Sequence, residues 1–301
     1  MKGAALGLGC AGLGGLYEPL SEAAAQATLE AAWAGGIRCF DTAPHYGAGL
    51  SEERLGRFLR GVPRAEYTLS TKVGRLLVDD PDAPEHGDGF FGTPRRRRVL
   101  DYSAAGVRRS VEASLCRLGL DRIDIALVHD PDEHWEQASG EAIPALMELR
   151  DQGVVGAVGA GMNQCAMLDR FVAETDVDCV LLAGRYTLLD RGGSTLLDHC
   201  AKRGVSVLAG GVYNSGLLAD PRPGARFDYA PAGADILAHA LRLRDACAER
   251  GVPQRAAALQ FAAAHRAVDT VLVGARTPAE VSDAVAMAAF DIPDDLWERL
   301  E

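Results

Sequence analysis

Positive charge is the first thing this sequence is short of: 31 Lys and Arg face 42 Asp and Glu, a net charge of −11 over 301 residues. Such a surface repels phosphate backbones and anionic lipid, so neither nucleic acid nor a membrane is expected as a partner. The one basic run, RRRR at 95–98 between GTP and DYS, reads as a solvated loop. No apolar stretch reaches bilayer-spanning length, and the opening MKGAALGLGCAGLGG lacks the h-region and cleavage site of a secretory signal. Seven cysteines, an odd number, are scattered without a C-x-x-C pair. That excludes a disulfide frame or a zinc knuckle and leads us to expect reduced thiols in a cytoplasmic protein. The seven histidines are equally dispersed, with no H-x-x-H or E-x-x-H spacing, so no metal is expected, and no G-x-S-x-G elbow offers a nucleophile. Repeats, low-complexity segments and interdomain linkers are also absent, and we expect one domain over residues 1–301.

What the sequence does have is a regular alternation. Eight short apolar runs, at 4–9, 37–42, 67–72, 123–130, 154–161, 177–184, 205–211 and 269–275, are each followed by a longer amphipathic stretch. The runs are nearly continuous in apolar residues, the pattern of parallel strands covered on both faces. Helix starts are marked by residues such as Ser21, and ends by glycines such as the pair at 35–36. Eight strand–helix units predict a single (β/α)8 TIM barrel. The competing doubly wound sheet announces itself with a G-x-G-x-x-G turn opening a helix. The glycines of GLGCAGLGG open none. One long stretch, 75–103, follows the third strand and reads as an irregular loop long enough to act as a lid.

In such a barrel, reactive groups gather at the C-terminal strand ends. Asp41 ends the second strand, Tyr46 follows on its loop, Lys72 ends the third and His129 the fourth. Taken singly, each has a bland reading as a turn cap, a surface ion or a polar strand end. Together they form a proton-transfer set. A free phenol ionises near pH ~10, and an ammonium beside it is expected to lower that value. Asp41 on the adjacent strand holds the lysine charged, and His129 orients a substrate oxygen. A phenol facing a carbinol with no metal requires a hydride partner such as a nicotinamide.

These residues lie in motifs that identify a family. FDTAPHYG, STKVG, SLCRLGLDRIDIALVHDPD, VVGAVGAGMNQ and VLVGARTPAEV resemble the aldo-keto reductase superfamily over nearly the whole chain. The resemblance implies a catalytic tetrad of Asp41, Tyr46, Lys72 and His129, and a nicotinamide dinucleotide lying across the C-terminal face of one barrel. Within the superfamily, HYGAGLSEERLGRFL, VHDPD, AGRYTLLD and GGVYNSGLL resemble a dehydrogenase branch. Its members act on D-threo-aldoses such as L-fucose, on L-galactose, or on pyridoxal at position 4. The implied reaction is NAD(P)-dependent oxidation of an anomeric hydroxyl to the lactone. A pyridoxal 4-dehydrogenase, a general aldehyde or ketone reductase, and a cofactor-binding regulatory subunit are the alternatives.

The cofactor positions depart from the common pattern. The Ser-Asn pair after strand five aligns with Gly161 and Met162, with Asn163 one step on; the glutamine of strand six aligns with Ala183; the aromatic that stacks on nicotinamide aligns with Gly210. The expected contacts therefore lie at Asn163, in Gly211, Val212, Tyr213, Asn214, Ser215, Gly216 and Leu218, and at Gly274, Arg276, Thr277 and Glu280, where loops seven and eight bind phosphate. Glu280 suits a ribose 2′-hydroxyl and repels a 2′-phosphate, which favours NAD, with Arg276 near enough to rescue NADP. From loop position, Tyr17, Phe90, Phe91 and Asp130 are expected to line the substrate, a sugar or a cyclic alcohol or aldehyde, in a monomer or small homo-oligomer.

Overall fold

The computed structural model describes residues 3–300. Eight parallel strands close into a barrel: β1 (Ala5–Gly9), β2 (Cys39–Asp41), β3 (Thr68–Val73), β4 (Ile123–His129), β5 (Val155–Met162), β6 (Cys179–Ala183), β7 (Ser206–Gly210) and β8 (Val268–Gly274). Each pairs with its neighbours in sequence, and β8 returns to pair with β1 through Ala5–Thr270 to Gly9–Gly274. The eight apolar runs of the sequence are these strands, shifted by no more than about two residues at any end, as fraying strand ends allow. Leu127, Leu181, Leu208 and Leu272 fill the barrel interior with Cys39 and Cys179. The outer strand faces bury Val128, Val158, Val180, Val207 and Val271 against the surrounding helices.

The helices start where their caps dictate. Ser21 accepts from Ala24 N ahead of the helix Glu22–Ala34, Ser103 from Gly106 N ahead of Ala104–Leu118, and Thr277 from Glu280 N ahead of Pro278–Ala289. The helix after β4 starts at Trp135 and passes through a π-turn at Ala138–Ala142 before its α-helical part Ile143–Asp151. Pro144 explains the widening: it has no N–H to donate, and its ring crowds the carbonyl one turn back.

Two expectations are corrected. The stretch 75–103 is an ordered insertion: Arg75–Asp79 pairs antiparallel with Arg96–Leu100, and a short outer ribbon pairs His86–Gly87 with Phe90–Phe91. The arginine run is part of its return strand and is not a solvated loop. Arg96 donates to Glu53 at 2.7 Å and to the Ala48 carbonyl, and Arg98 donates to the His45 carbonyl at 3.1 Å. Arg97, facing the other way, is exposed and pairs with Asp80. Strand alternation aims every second arginine at the barrel. Among the described residues, no helix is long and apolar enough to cross a membrane.

Gly56, on the helix Leu50–Leu59, lies against the end of Ala104–Leu118, and a Cβ there would stand 2.3 Å from the Leu118 carbonyl oxygen. Alanine is the better helix former by ~1 kcal/mol, but this contact is with backbone and cannot rotate away. Gly56→Ala is therefore expected to destabilise the protein by about 1–3 kcal/mol. The check is the urea midpoint of the variant beside that of the wild type.

Candidate active site

Register brings the polar strand ends together. Asp41 pairs with Ser70 across β2–β3, and Lys72 lies two residues on, so both side chains point into the same end of the barrel. Lys72 is 2% exposed, its Nζ 2.7 Å from Asp41 Oδ2 and 2.9 Å from the Thr42 carbonyl. Ser70 Oγ donates to the other carboxylate oxygen at 2.8 Å. An ammonium carries three donors, so one remains for the Tyr46 side, whose ring centroid is 4.7 Å from Nζ. The His129 ring is 5.9 Å from that of Tyr46 and nearly perpendicular to it. The structure thus brings Asp41, Tyr46, Lys72 and His129 to one mouth.

The charges respond to burial first. Burial would lower the lysine pKa, but Asp41 and Tyr46 outweigh it and hold the ammonium charged. Burial raises the Tyr46 phenol well above its ordinary value, and Lys72 only partly opposes it. That reverses the net shift expected from sequence, because desolvation of the phenolate exceeds the attraction of one shared ammonium. Burial, with Lys72, His45 and Arg75, holds His129 neutral far below the ordinary imidazole range. His45 is brought down to about 3 by burial, Arg75, Arg98 and Lys72.

From this mouth a cavity of about 780 Å³ runs past Tyr46 and Asp41 to the loops after β7 and β8. Of the expected cofactor residues, Asn163, Gly211, Val212, Tyr213, Asn214, Ser215, Gly216, Gly274, Arg276 and Glu280 line it. Leu218 does not: it is fully buried beside Leu243 and Cys247. Thr277 is outside the lining and caps the following helix. Of the expected substrate residues, Tyr17 lines the cavity, and Phe90 is buried and stacked on Tyr46. Phe91 stacks instead on His86 at the surface, and Asp130 lies beside His129 and Arg75.

The sequence reading passed over Tyr229, His45 and Arg75. Tyr229 lines the cavity from the hairpin Arg226–Phe227/Ala230–Pro231, and His45 packs on Phe90, Tyr46 and His129. His45 was visible inside FDTAPHYG, and Arg75 directly follows the glycine that ends STKVG; nothing in the sequence pointed to Tyr229.

The cavity suits a nicotinamide dinucleotide. Gly184, Gly210, Gly211, Gly216 and Gly274 leave backbone accessible along it, and Asn214 Oδ1 is buried with no partner among the described residues. A second cavity, of about 730 Å³, opens at the other end of the barrel, lined in part by Cys39 and Cys179. Burial, with Asp41 acting on Cys39 and Asp178 on Cys179, pushes both thiols up to about 12, so they are poor nucleophiles.

The chain belongs to the aldo/keto reductase family, whose model matches residues 5–301. It is an oxidoreductase acting on CH–OH groups with a nicotinamide cofactor. Its relatives include a D-threo-aldose 1-dehydrogenase from Pseudomonas sp. and a pyridoxal 4-dehydrogenase from Microbacterium luteolum. Each is 43% identical over 98% of this chain and 92% of its own length. An L-galactose dehydrogenase from Arabidopsis thaliana is 32% identical over 95% of this chain and 84% of its own length. An aldo-keto reductase from Bacillus halodurans, solved in its holo form, superposes with a TM-score of 0.77 at 25% identity, covering 98% of this chain and 90% of its own.

The neutral, half-buried His45 makes stability depend on pH. Unfolded imidazole binds a proton below ~6.5, whereas the folded side chain resists protonation down to about 3. Its contribution is complete above the unfolded value and is lost as pH falls towards the folded one. The urea midpoint of the wild type is expected to fall more steeply between pH 6.5 and pH 4 than that of His45→Asn; parallel curves would contradict this.

Proposed function

We propose that this chain oxidises the anomeric hydroxyl of an aldose to the lactone, with NAD as its cofactor. One observation carries the reading: Lys72, buried and charged, is held between Asp41 and the Tyr46 phenol at the mouth of the cavity. Tyr46 removes the hydroxyl proton, and Lys72 stabilises the phenolate that does so. Neutral His129 donates to the same substrate oxygen and fixes its direction. When bound, the nicotinamide supplies the hydride acceptor. Asn163, Asn214, Ser215 and the backbone of Gly211–Gly216 would hold it, with Glu280 towards the ribose.

Two features support NAD over NADP. Glu280 lines the cavity and accepts from Arg276 N at 2.7 Å. The Arg276 guanidinium, the natural partner for a 2′-phosphate, is engaged by the carbonyls of Leu16, Glu18 and Pro19 and by the Glu18 carboxylate. A second reading, pyridoxal oxidation, draws on the equal 43% identity to that dehydrogenase and on the aromatic surfaces of Tyr17 and Tyr229 in the cavity.

Turnover followed at 340 nm with L-fucose, L-galactose, D-arabinose and pyridoxal, each with NAD and NADP, separates these readings. A sugar is expected to give the highest kcat/KM, with NAD; preference for NADP or for pyridoxal would reject the corresponding part. Tyr46→Phe is expected to lower kcat by roughly 10²–10⁴-fold, the usual contribution of a positioned acid–base group, with the Kd for NAD unchanged by fluorescence titration. Because burial raises the phenol, kcat/KM for oxidation should climb as pH rises above neutrality. A profile falling with pH would remove Tyr46 as the base.

A further inference from the structure

Asp130 directly follows the last residue of β4, and its backbone φ is 41°. A non-glycine residue enters that left-handed region only when its surroundings hold it there. The holding group is Tyr102, a fully buried side chain whose hydroxyl lies 2.7 Å from the His129 carbonyl oxygen and 2.8 Å from that of Asp130. Asp130 N also donates to the Gly161 carbonyl at the end of β5. Tyr102 reaches this peptide through space that Gly74 leaves open: a Cβ on Gly74, itself at φ 103°, would stand 2.1 Å from the ring. Three strand ends and one foot of the insertion therefore converge on a single turn.

The turn changes where Asp130 points. In an extended strand, residues 129 and 130 would face opposite sides. Here Asp130 Oδ2 lies 3.4 Å from His129 Nε2 and 3.2 Å from an Arg75 nitrogen. Burial, with Asp132, raises the carboxyl pKa against the opposing charges of Arg75 and Lys72 and the hydrogen bond from Arg75.

Two polar atoms this close, one on the imidazole that meets the reacting oxygen, match the spacing of two oxygens on adjacent carbons. We infer that His129 and Asp130 together read a vicinal diol. Nε2–H donates to the oxygen on the carbon being oxidised, and Oδ2 accepts from the hydroxyl on the next carbon. Arg75 holds the carboxylate in position and balances its charge. The substrate class follows: aldoses in ring form with a free 2-hydroxyl. A substrate lacking that hydroxyl forfeits this hydrogen bond and leaves part of the half-buried carboxylate's accepting capacity unused beside Arg75, a loss against which sites built to bind a hydroxyl discriminate strongly. This inference rests on the aldose reaction proposed above.

The test compares kcat/KM with NAD for L-fucose, L-galactose or D-arabinose, whichever is turned over fastest, with that for its 2-deoxy form (2-deoxy-D-ribose for D-arabinose). The wild type is expected to prefer the 2-hydroxy sugar by about tenfold or more. Asp130→Ala should bring the ratio to within about twofold by slowing the 2-hydroxy sugar alone, and Asp130→Asn, which keeps an acceptor oxygen, should retain part of the preference. Equal rates for the two sugars in the wild type would overturn the inference without any variant. A variant that slows both sugars equally would mark Asp130 as structural and overturn it too. If the wild type turns over none of these three sugars, the aldose reading itself fails and takes this inference with it; turnover without discrimination sinks this inference alone.

Discussion

The buried Lys72–Asp41 pair is the constraint around which this barrel end is built. Taking an ammonium and a carboxylate out of water costs several kcal/mol per ion, and their attraction offsets this only when the remaining donors and acceptors are also satisfied. Here they are: Ser70 and the Thr42 carbonyl complete the shell. The support continues outward in a second buried layer. Glu52, with no exposure, accepts from Thr71 at 2.8 Å and from Arg117 at 2.7 Å, and Ser51 bonds Thr42 and the Cys10 carbonyl. Thr42 follows Asp41 in the chain and Thr71 precedes Lys72, so this layer backs both charged groups. A rigid polar scaffold of this kind is what holds a phenol at a fixed distance from an ammonium.

Most of the architecture was legible because its signals are local. Near-continuous apolar runs betray strands buried on both faces, and Ser21 marks the start of the helix it caps. The arginine run was misread for a physical reason. Strand alternation separates Arg96 and Arg98 from Arg97, but four identical letters carry no period. The outer ribbon is only two residues per strand, below the length at which any alternation appears.

In the site, the four polar strand ends were legible because barrel topology alone brings such ends together. The sign of the phenol shift was not. Proximity to an ammonium can be inferred from neighbouring strands, whereas the depth of burial that opposes it depends on Phe90 folding back from the insertion onto Tyr46. Leu218 and Thr277 show the same limit at the cofactor end. Both sit in the expected loops, but one turns into the core and the other is occupied as a cap. Sequence position selects a loop; which of its side chains face the cavity depends on backbone turns such as that at Asn214, with φ 46°.

The insertion's two feet, Gly74 and Asp101, are joined by a backbone hydrogen bond of 3.0 Å, and Arg96 and Arg98 bolt its return strand to the loop that carries Tyr46. Its ends are therefore fixed whatever lies between them, and lengthening a loop whose ends already meet adds little entropy cost. Within the segment beyond Asp79, the turns that do not carry Phe90 can be shortened or replaced to reshape the entrance, so selectivity can be altered there as long as Phe90 keeps its place on Tyr46.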